Sequence, residues 1–237
     1  LNGKSAKIEG DEPKLPDDAP RINLADPLMD NYFDEVIRQM GMIGGELGNI
    51  RKIAQMAADT LLDGGNVYFY SKDPQSFANE ASGRRGGFAF AKGLSDGRIN
   101  GTSKDCVIMG VFEPADEADL KHPDDFQNRG LRVASIGPTT CNFKRPEGRA
   151  VFKETEVHAG YMMDTYGIFA IPGFERKVCP TSGALNTSIL WVMSVELVEE
   201  VIRRTGGNTP AIYFNGALKW ARDDNNQARA MMEYRGY

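Results

Sequence analysis

Cys106-Val107-Ile108-Met109-Gly110, the stretch from Pro114 to Arg129, and Leu131-Arg132-Val133-Ala134-Ser135-Ile136 decide the fold. A short apolar run, a helical stretch and a second apolar run after the Gly130 stop make a strand, helix, strand beat. Runs that are apolar almost throughout, rather than alternating, suit strands buried on both faces. That is the condition of a parallel sheet covered by helices. The same beat occurs upstream, where Asn66-Val67-Tyr68-Phe69-Tyr70 is β-prone and the polar turn Ser71-Lys72-Asp73-Pro74-Gln75-Ser76 opens a short helix through Phe77 and Ala81. The pattern therefore predicts an α/β fold.

Helices flank this centre on both sides in sequence. Before it, Tyr32, Phe33, Val36, Ile37, Met40, Ile43, Leu47, Ile50, Ile53, Ala54 and Leu61 recur at three- and four-residue steps, the mark of helices with one apolar face. Gly41, Gly44, Gly45 and Gly48 interrupt them at a cost in helix stability, which predicts two helices or one kinked one, and Gly64-Gly65 ends the second segment. After the centre, a strand-like Ile168 to Pro172 leads into Cys179-Pro180-Thr181-Ser182-Gly183 and a helix from about Gly183 to Thr205. Its first half is apolar nearly all round, so it is predicted to be central; Arg203 and Arg204 suit its negative end and Gly206-Gly207 terminates it. Thr209-Pro210-Ala211-Ile212-Tyr213-Phe214 follows, and Asp223-Asp224-Asn225-Asn226 reads as a turn into a closing helix. Residues 1–27, in which lysines, aspartates and prolines leave little to bury, read as a tail. Residues 28–237 read as a single domain.

Composition excludes several classes. At 237 residues the chain can bury its own core. A formal net charge of −5 and the lack of a basic stripe argue against nucleic acid as a partner. Three widely spaced cysteines, Cys106, Cys141 and Cys179, disfavour a disulfide framework while leaving one bridge open. With only His122 and His158 beside them, no metal cluster is expected. No apolar run approaches the roughly 18 to 20 residues that span a bilayer, so no membrane partner is expected. A soluble, cytoplasmic chain is favoured, with an exported form left open by the start at Leu1. Neither GxGxxG nor a Walker loop is present, so no nucleotide cofactor is expected.

The candidate site residues are of two kinds. Thr181, Ser182 and the amides around Gly183 stand at a helix start, where free N–H groups and the helix dipole favour an anion; capping the helix is their alternative role. Lys72 could neutralise an anionic ligand group, or be a solvated loop charge. Glu113, at a strand's carboxyl end, is the best-placed candidate base, or else an ordinary acidic loop residue. His158 could open a ring or shuttle a proton, or be structural. Tyr161, Asp164 and Tyr166 read as a loop that could close over the site, and Asn186, Asn215 and Asn225 could bond ligand hydroxyls or cap turns.

These features resemble the sugar isomerase (SIS) domain family, of the phosphosugar-binding kind. The resemblance rests on the helical lead-in ending Ala57-Ala58-Asp59-Thr60-Leu61-Leu62-Asp63-Gly64-Gly65, the Val67 to Tyr70 and Val107 to Met109 runs, Arg129-Gly130-Leu131-Arg132-Val133, and Gly183 to Thr205 followed by Thr209-Pro210-Ala211-Ile212-Tyr213. It covers residues 28–237 and is architectural. It implies a three-layer sandwich with a parallel sheet of about five strands flanked by helices, a sugar or sugar-phosphate ligand, and a homo-oligomer with sites near the interface. In that family a Gly-Ser-rich loop follows the first strand and a Ser-x-Ser-Gly-x-Thr loop the second. Here the first loop keeps Ser71 and Ser76 but adds Lys72 and Asp73, and the second is Gly110-Val111-Phe112-Glu113-Pro114-Ala115-Asp116-Glu117, with no hydroxyl and three carboxylates. Carboxylates repel a phosphate unless protonated or paired, which brings neutral or amino sugars into consideration. The expected function is sugar or sugar-phosphate binding through Ser71, Lys72, Ser76, Thr181, Ser182 and Gly183, with aldose-ketose isomerisation by Glu113 and His158. The alternative is a non-catalytic sugar sensor or structural protein.

Overall fold

Val67–Tyr70 is buried on both faces, as its unbroken apolar run requires, and the rest of the molecule is arranged around it. The structure is a computed structural model and describes residues 28–72, 77–82, 86–94, 99–139, 148–162, 167–169, 177–214 and 218–237. In chain order the elements are α1 (Leu28–Ile43), a 3-10 turn (Gly44–Glu46), α2 (Leu47–Leu62), β1 (Val67–Tyr70), α3 (Phe77–Ser82), β2 (Lys92–Leu94), β3 (Cys106–Gly110), α4 (Glu117–Leu120), α5 (His122–Asn128), β4 (Arg132–Pro138), α6 (Val151–Glu154), β5 (Val157–Tyr161), α7 (Ser182–Thr205) and α8 (Ala221–Arg235). The five strands form one sheet in the order β2-β1-β3-β4-β5, and every neighbouring pair is parallel.

Alternate residues of each strand face opposite sides, and two cores result. Phe69, Ile108, Ile136 and Ala159 face Ile53 and Ala57 of α2 and Leu185, Ile189 and Met193 of α7. Tyr70, Met109 and Val133 face Leu120 of α4, Phe126 of α5 and Val151 of α6. The architecture is thus a three-layer α/β sandwich with a five-stranded parallel sheet. Among the described residues no helix is long and apolar enough to cross a membrane.

Several boundaries differ from the sequence reading, each for a local reason. The stretch Pro114 to Arg129 forms two short helices that meet at Lys121, where α5 restarts with Pro123 in its first turn. Asp223-Asp224-Asn225-Asn226 lies inside α8 and not in a turn before it, since acidic side chains in a first helical turn complement the dipole. Thr209 to Phe214 adds no strand to the sheet; Ile212 bridges Phe88, and Ala211 and Tyr213 exchange backbone hydrogen bonds with residues 86–89. Ile168 and Phe169 turn back onto Val178 in an isolated bridge, while the rest of the proposed 168–172 strand lies outside the described residues. Tyr161 ends β5 and is 2% exposed, so it belongs to the core and not to a closing loop.

Candidate functional site

The strand order defines where a ligand would sit. The chain leaves β1 to one side for β2, then returns to the other side of β1 for β3. This reversal is a topological switch point, and in open α/β sheets the crevice beyond the carboxyl ends of such strands takes ligands. The loops entering that crevice begin at Ser71, after β1, and at Val111, after β3. Ser71, Lys72 and Glu113 all belong to these two loops.

Lys72 spans the switch point. Its Nζ donates to Asp116 Oδ2 at 2.8 Å, joining the β1 loop to the β3 loop, and this bond raises the Lys72 pKa. Burial acts to raise Asp116, but the bond from Lys72 and the Ala118 amide outweigh it and hold the carboxylate below its ordinary range. Asp116 Oδ1 also accepts from Ala118 N at 2.9 Å and so caps α4. Ser71 is fully buried, and its Oγ accepts from Ala78 N at 3.2 Å, so this hydroxyl positions the start of α3. Ser76 lies outside the described residues. Glu113 is 9% exposed, and its Oε1 accepts from Ala115 N at 3.3 Å within its own loop.

Behind this bridge lies a polar group that the sequence reading passed over. Tyr70, the last residue of β1, donates from its hydroxyl to Asp119 Oδ1 at 3.0 Å, and its ring lies 4.6 Å from that of His122. Asp119 is 3% exposed. Burial, helped by the nearby Asp116 charge, pushes its carboxyl from 3.8 up to about 6. Nothing in the sequence marked Asp119 beyond its place in an acidic stretch.

The amino end of α7 arrives at the same edge. Asn186 Nδ2 donates to Val111 O at 2.8 Å, and Asn186 Oδ1 accepts from Tyr161 OH at 2.9 Å. One buried side chain of α7 thereby ties the β3 loop to the end of β5, a structural strut rather than a sugar contact. Thr181 does not cap α7 with its side chain; its Oγ1 donates to Gln39 Oε1 of α1 at 2.5 Å. Ser182, 2% exposed, opens the helix, and its carbonyl accepts from Tyr161 OH at 3.4 Å. Gly183 is exposed, and a Cβ there meets no described residue within 4 Å. Asp164, Tyr166, Asn215 and Cys141 lie outside the described residues, and Cys106 and Cys179 are free.

His158 stands apart from the crevice. It is the second residue of β5, on the α6 face, with Nδ1 2.8 Å from Ser135 Oγ, which is itself 2.8 Å from Thr155 Oγ1. Its Nε2 is enclosed without a hydrogen-bond partner among the described residues. Burial lowers its pKa from 6.5 to about 4, against the opposing pull of Glu46. A neutral ring held under α6, 5.6 Å from the Phe152 ring, fits a structural place in the sheet.

Asp119 and His158 act on stability with opposite signs. Asp119 has a raised folded pKa, so its contribution is complete below 3.8 and is lost as pH rises through about 6. His158 has a depressed one, so its contribution is complete above 6.5 and is lost as pH falls towards about 4. The windows overlap, and the two dependences offset one another in the intact chain. Asp119→Asn keeps an acceptor for Tyr70 and should expose the histidine limb alone, with stability rising by on the order of 2–3 kcal/mol from pH 4 to 6.5. His158→Gln should show the reverse slope. Urea midpoints at stepped pH test this, and an Asp119→Asn profile parallel to that of the intact chain would remove the assignment.

An open cleft of about 330 Å³ lined by Asp59, Thr60, Asp63, Ser103, Lys104 and Arg132 lies at the opposite, amino edge of the sheet. Arg132 there already pairs with Asp59 at 3.4 Å and Glu156 at 3.3 Å. The switch point is the better candidate because two loops, a long helix start and the half-exposed Lys72–Asp116 pair converge on it. No group of three or more metal-ligating side chains occurs among the described residues.

No protein-family model matches the chain, and no curated protein matches it. Among solved structures it is similar to the phosphoheptose isomerase GmhA from Neisseria gonorrhoeae, with 13% identity, 73% of this chain and 97% of that one covered, and a TM-score of 0.47. It is also similar to the sugar isomerase domain of the RpiR transcription factor from Sphaerobacter thermophilus, with 11% identity, coverage of 88% and 99%, and a TM-score of 0.46. A third similarity is to the Vibrio vulnificus NanR protein complexed with ManNAc-6P, with 7% identity, coverage of 89% and 70%, and a TM-score of 0.46. The chain is thus similar in shape to phosphosugar isomerase and sugar isomerase domain proteins.

Proposed function

We propose that this chain binds a sugar phosphate at the β1/β3 switch point, in the manner of a sugar isomerase domain. The observation that carries this reading is the Lys72–Asp116 bridge at 2.8 Å across the crevice: an exposed cation stands where a ligand phosphate would enter, partnered by a group the phosphate can replace. The α7 start adds a second anion-favouring element at the same edge, since a 24-residue helix directs its dipole there and no described residue stands within 4 Å of a Cβ at Gly183. Ser71 supports the loop through α3 rather than gripping the ligand.

If the chain also turns its ligand over, Glu113 is the base that removes a proton beside the carbonyl, and Lys72 stabilises the oxygen of the resulting enediolate. His158 has no part in that step. The second reading, a binding protein without turnover, is favoured by Glu113 holding its own loop through Ala115 N. Glu113→Gln separates the two. Under the isomerase reading it lowers turnover by roughly a hundredfold or more while the dissociation constant stays within a few-fold. A wild-type chain that binds a sugar phosphate and never converts it supports the binding-only reading.

A further inference from the structure

The cleft of about 330 Å³ at the amino edge of the sheet has no part in the proposed function. Every residue lining it is polar, and its volume stands at the lower end of the range for small-molecule sites. Asp59 and Asp63 are four residues apart at the end of α2, so they share one wall. A helix C-terminus carries partial negative charge and favours a cation, yet α2 closes on these two carboxylates with no basic residue in its last turn. Asp59 is neutralised from outside the helix, by Arg204 and Arg132. Asp63 is exposed and its carboxylate has no partner among the described residues, so the helix end keeps an uncompensated negative charge. The other lining charges are cationic. Lys104 is exposed, with no partner for its Nζ among the described residues. Arg132 opens β4 with Nε 3.3 Å from Glu156 and Nη1 3.4 Å from Asp59, both long for a bond between charged groups. The turn bearing Ser103 and Lys104 is fixed in place, since Asp105 accepts from Thr102 N and from Asn66 N, each at 2.6 Å. Two glycines admit it at close quarters: a Cβ at Gly65 would collide with Lys104 O, and one at Gly130 would stand 3.2 Å from Ser103 Cβ.

We propose that this cleft binds a free amino acid, its ammonium group against Asp63 and the end of α2 and its carboxylate between Lys104 and Arg132. An α-amino acid carries both charges on one carbon, which suits a cleft whose lining charges cancel: Asp59 and Asp63 against Lys104 and Arg132. A simple anion entering the cleft meets the Asp63 carboxylate, and a simple cation meets Lys104, so each gains less than a molecule bearing both charges. Ser103 adds a hydroxyl able to donate to the carboxylate, and the wholly polar lining favours a small polar side chain over an apolar one. The cleft shares no residue with the Lys72 crevice and lies at the other end of the strands, so the proposal does not rest on the sugar-phosphate reading.

Thermal unfolding of the full chain, without sugar phosphate, in each of the common L-amino acids at about 10 mM provides the first test, since a ligand of the folded state raises the midpoint. At least one polar amino acid should raise it, whereas the amine lacking its carboxylate and the N-acetyl derivative lacking its ammonium charge should not. Calorimetric titration with that amino acid should then show Asp63→Asn and Lys104→Met each weakening binding by about tenfold or more, and Lys104→Arg retaining most of it. Lys72→Met should leave it unchanged, which separates this cleft from the switch point. Both Asp63 and Lys104 are exposed, so the unliganded midpoints of their variants should stay within about 2 °C of the unaltered chain, and weaker binding then reflects the cleft and not misfolding. Silence across the amino acids, equal binding of the amine or the N-acetyl derivative, or an affinity indifferent to Asp63→Asn and Lys104→Met each overturns the proposal.

Discussion

Gly110→Ala should unfold roughly 6–12 °C below the unaltered chain, from overpacking of about 3 kcal/mol at 2–4 °C per kcal/mol for a chain of this size. Gly110 ends β3, and a Cβ there would stand 2.2 Å from Phe77 Cγ and 2.7 Å from Phe77 Cβ. The clash is with the root of a ring and not with a flexible tip. Phe77 is 1% exposed, opens α3 and packs 6.1 Å from Phe69, so it can yield only by lifting α3 from the sheet. That movement would also disturb the Ser71–Ala78 bond beneath the Lys72 loop, so ligand affinity should fall with stability. Thermal unfolding of the variant, with and without ligand, checks both; an unchanged midpoint would mean that α3 does not sit on β3 as described.

Lys72→Met should remove the preference for phosphorylated over unphosphorylated sugar. A hydrogen bond to a charged group contributes about 1.5–3 kcal/mol, so its loss weakens phosphate binding by roughly ten- to a hundredfold, while a parent sugar loses little. The competing term is small. Lys72 and Asp116 keep 55% and 27% of their side-chain surface exposed, and exposed pairs contribute about 0–1 kcal/mol, so a phosphate can displace the carboxylate. Asp116→Asn retains a capping acceptor for α4 and releases Lys72, so it should tighten phosphate binding by up to about fivefold. Opposite shifts from the two partners of one bridge would not arise from general destabilisation.

The central strands were legible because burial on both faces leaves an unbroken apolar signature: β1, β3 and β4 stand within a residue or two of where Val67–Tyr70, Cys106–Gly110 and Leu131–Ile136 suggest. The edge strands were not. β2 is Lys92-Gly93-Leu94, short and mostly exposed, and β5 carries His158 and Gly160 between apolar positions, so neither offers a β-prone run. Gly160 is required because a Cβ there would stand 2.6 Å from His158 Nε2, a constraint visible only once β5 is folded. At the proposed site, Lys72 and Glu113 were legible as residues of the loops that follow β1 and β3, because the carboxyl ends of strands are readable. Most side-chain pairings around it were hidden by distance along the chain. Asp116 lies 44 residues from Lys72, Tyr70 lies 49 from Asp119, and Gln39 lies 142 from Thr181. The capping role considered for Thr181 failed for the same reason, since its hydroxyl is engaged by α1.

The switch-point site is tested most directly by calorimetric titration of the unaltered chain, Lys72→Met and Asp116→Asn with matched pairs of sugars and their 6-phosphates. The account predicts that a phosphorylated member binds the unaltered chain, binds Lys72→Met at least about tenfold more weakly, and binds Asp116→Asn more tightly. Equal affinity across all three proteins, or binding of no member of the panel, would contradict it.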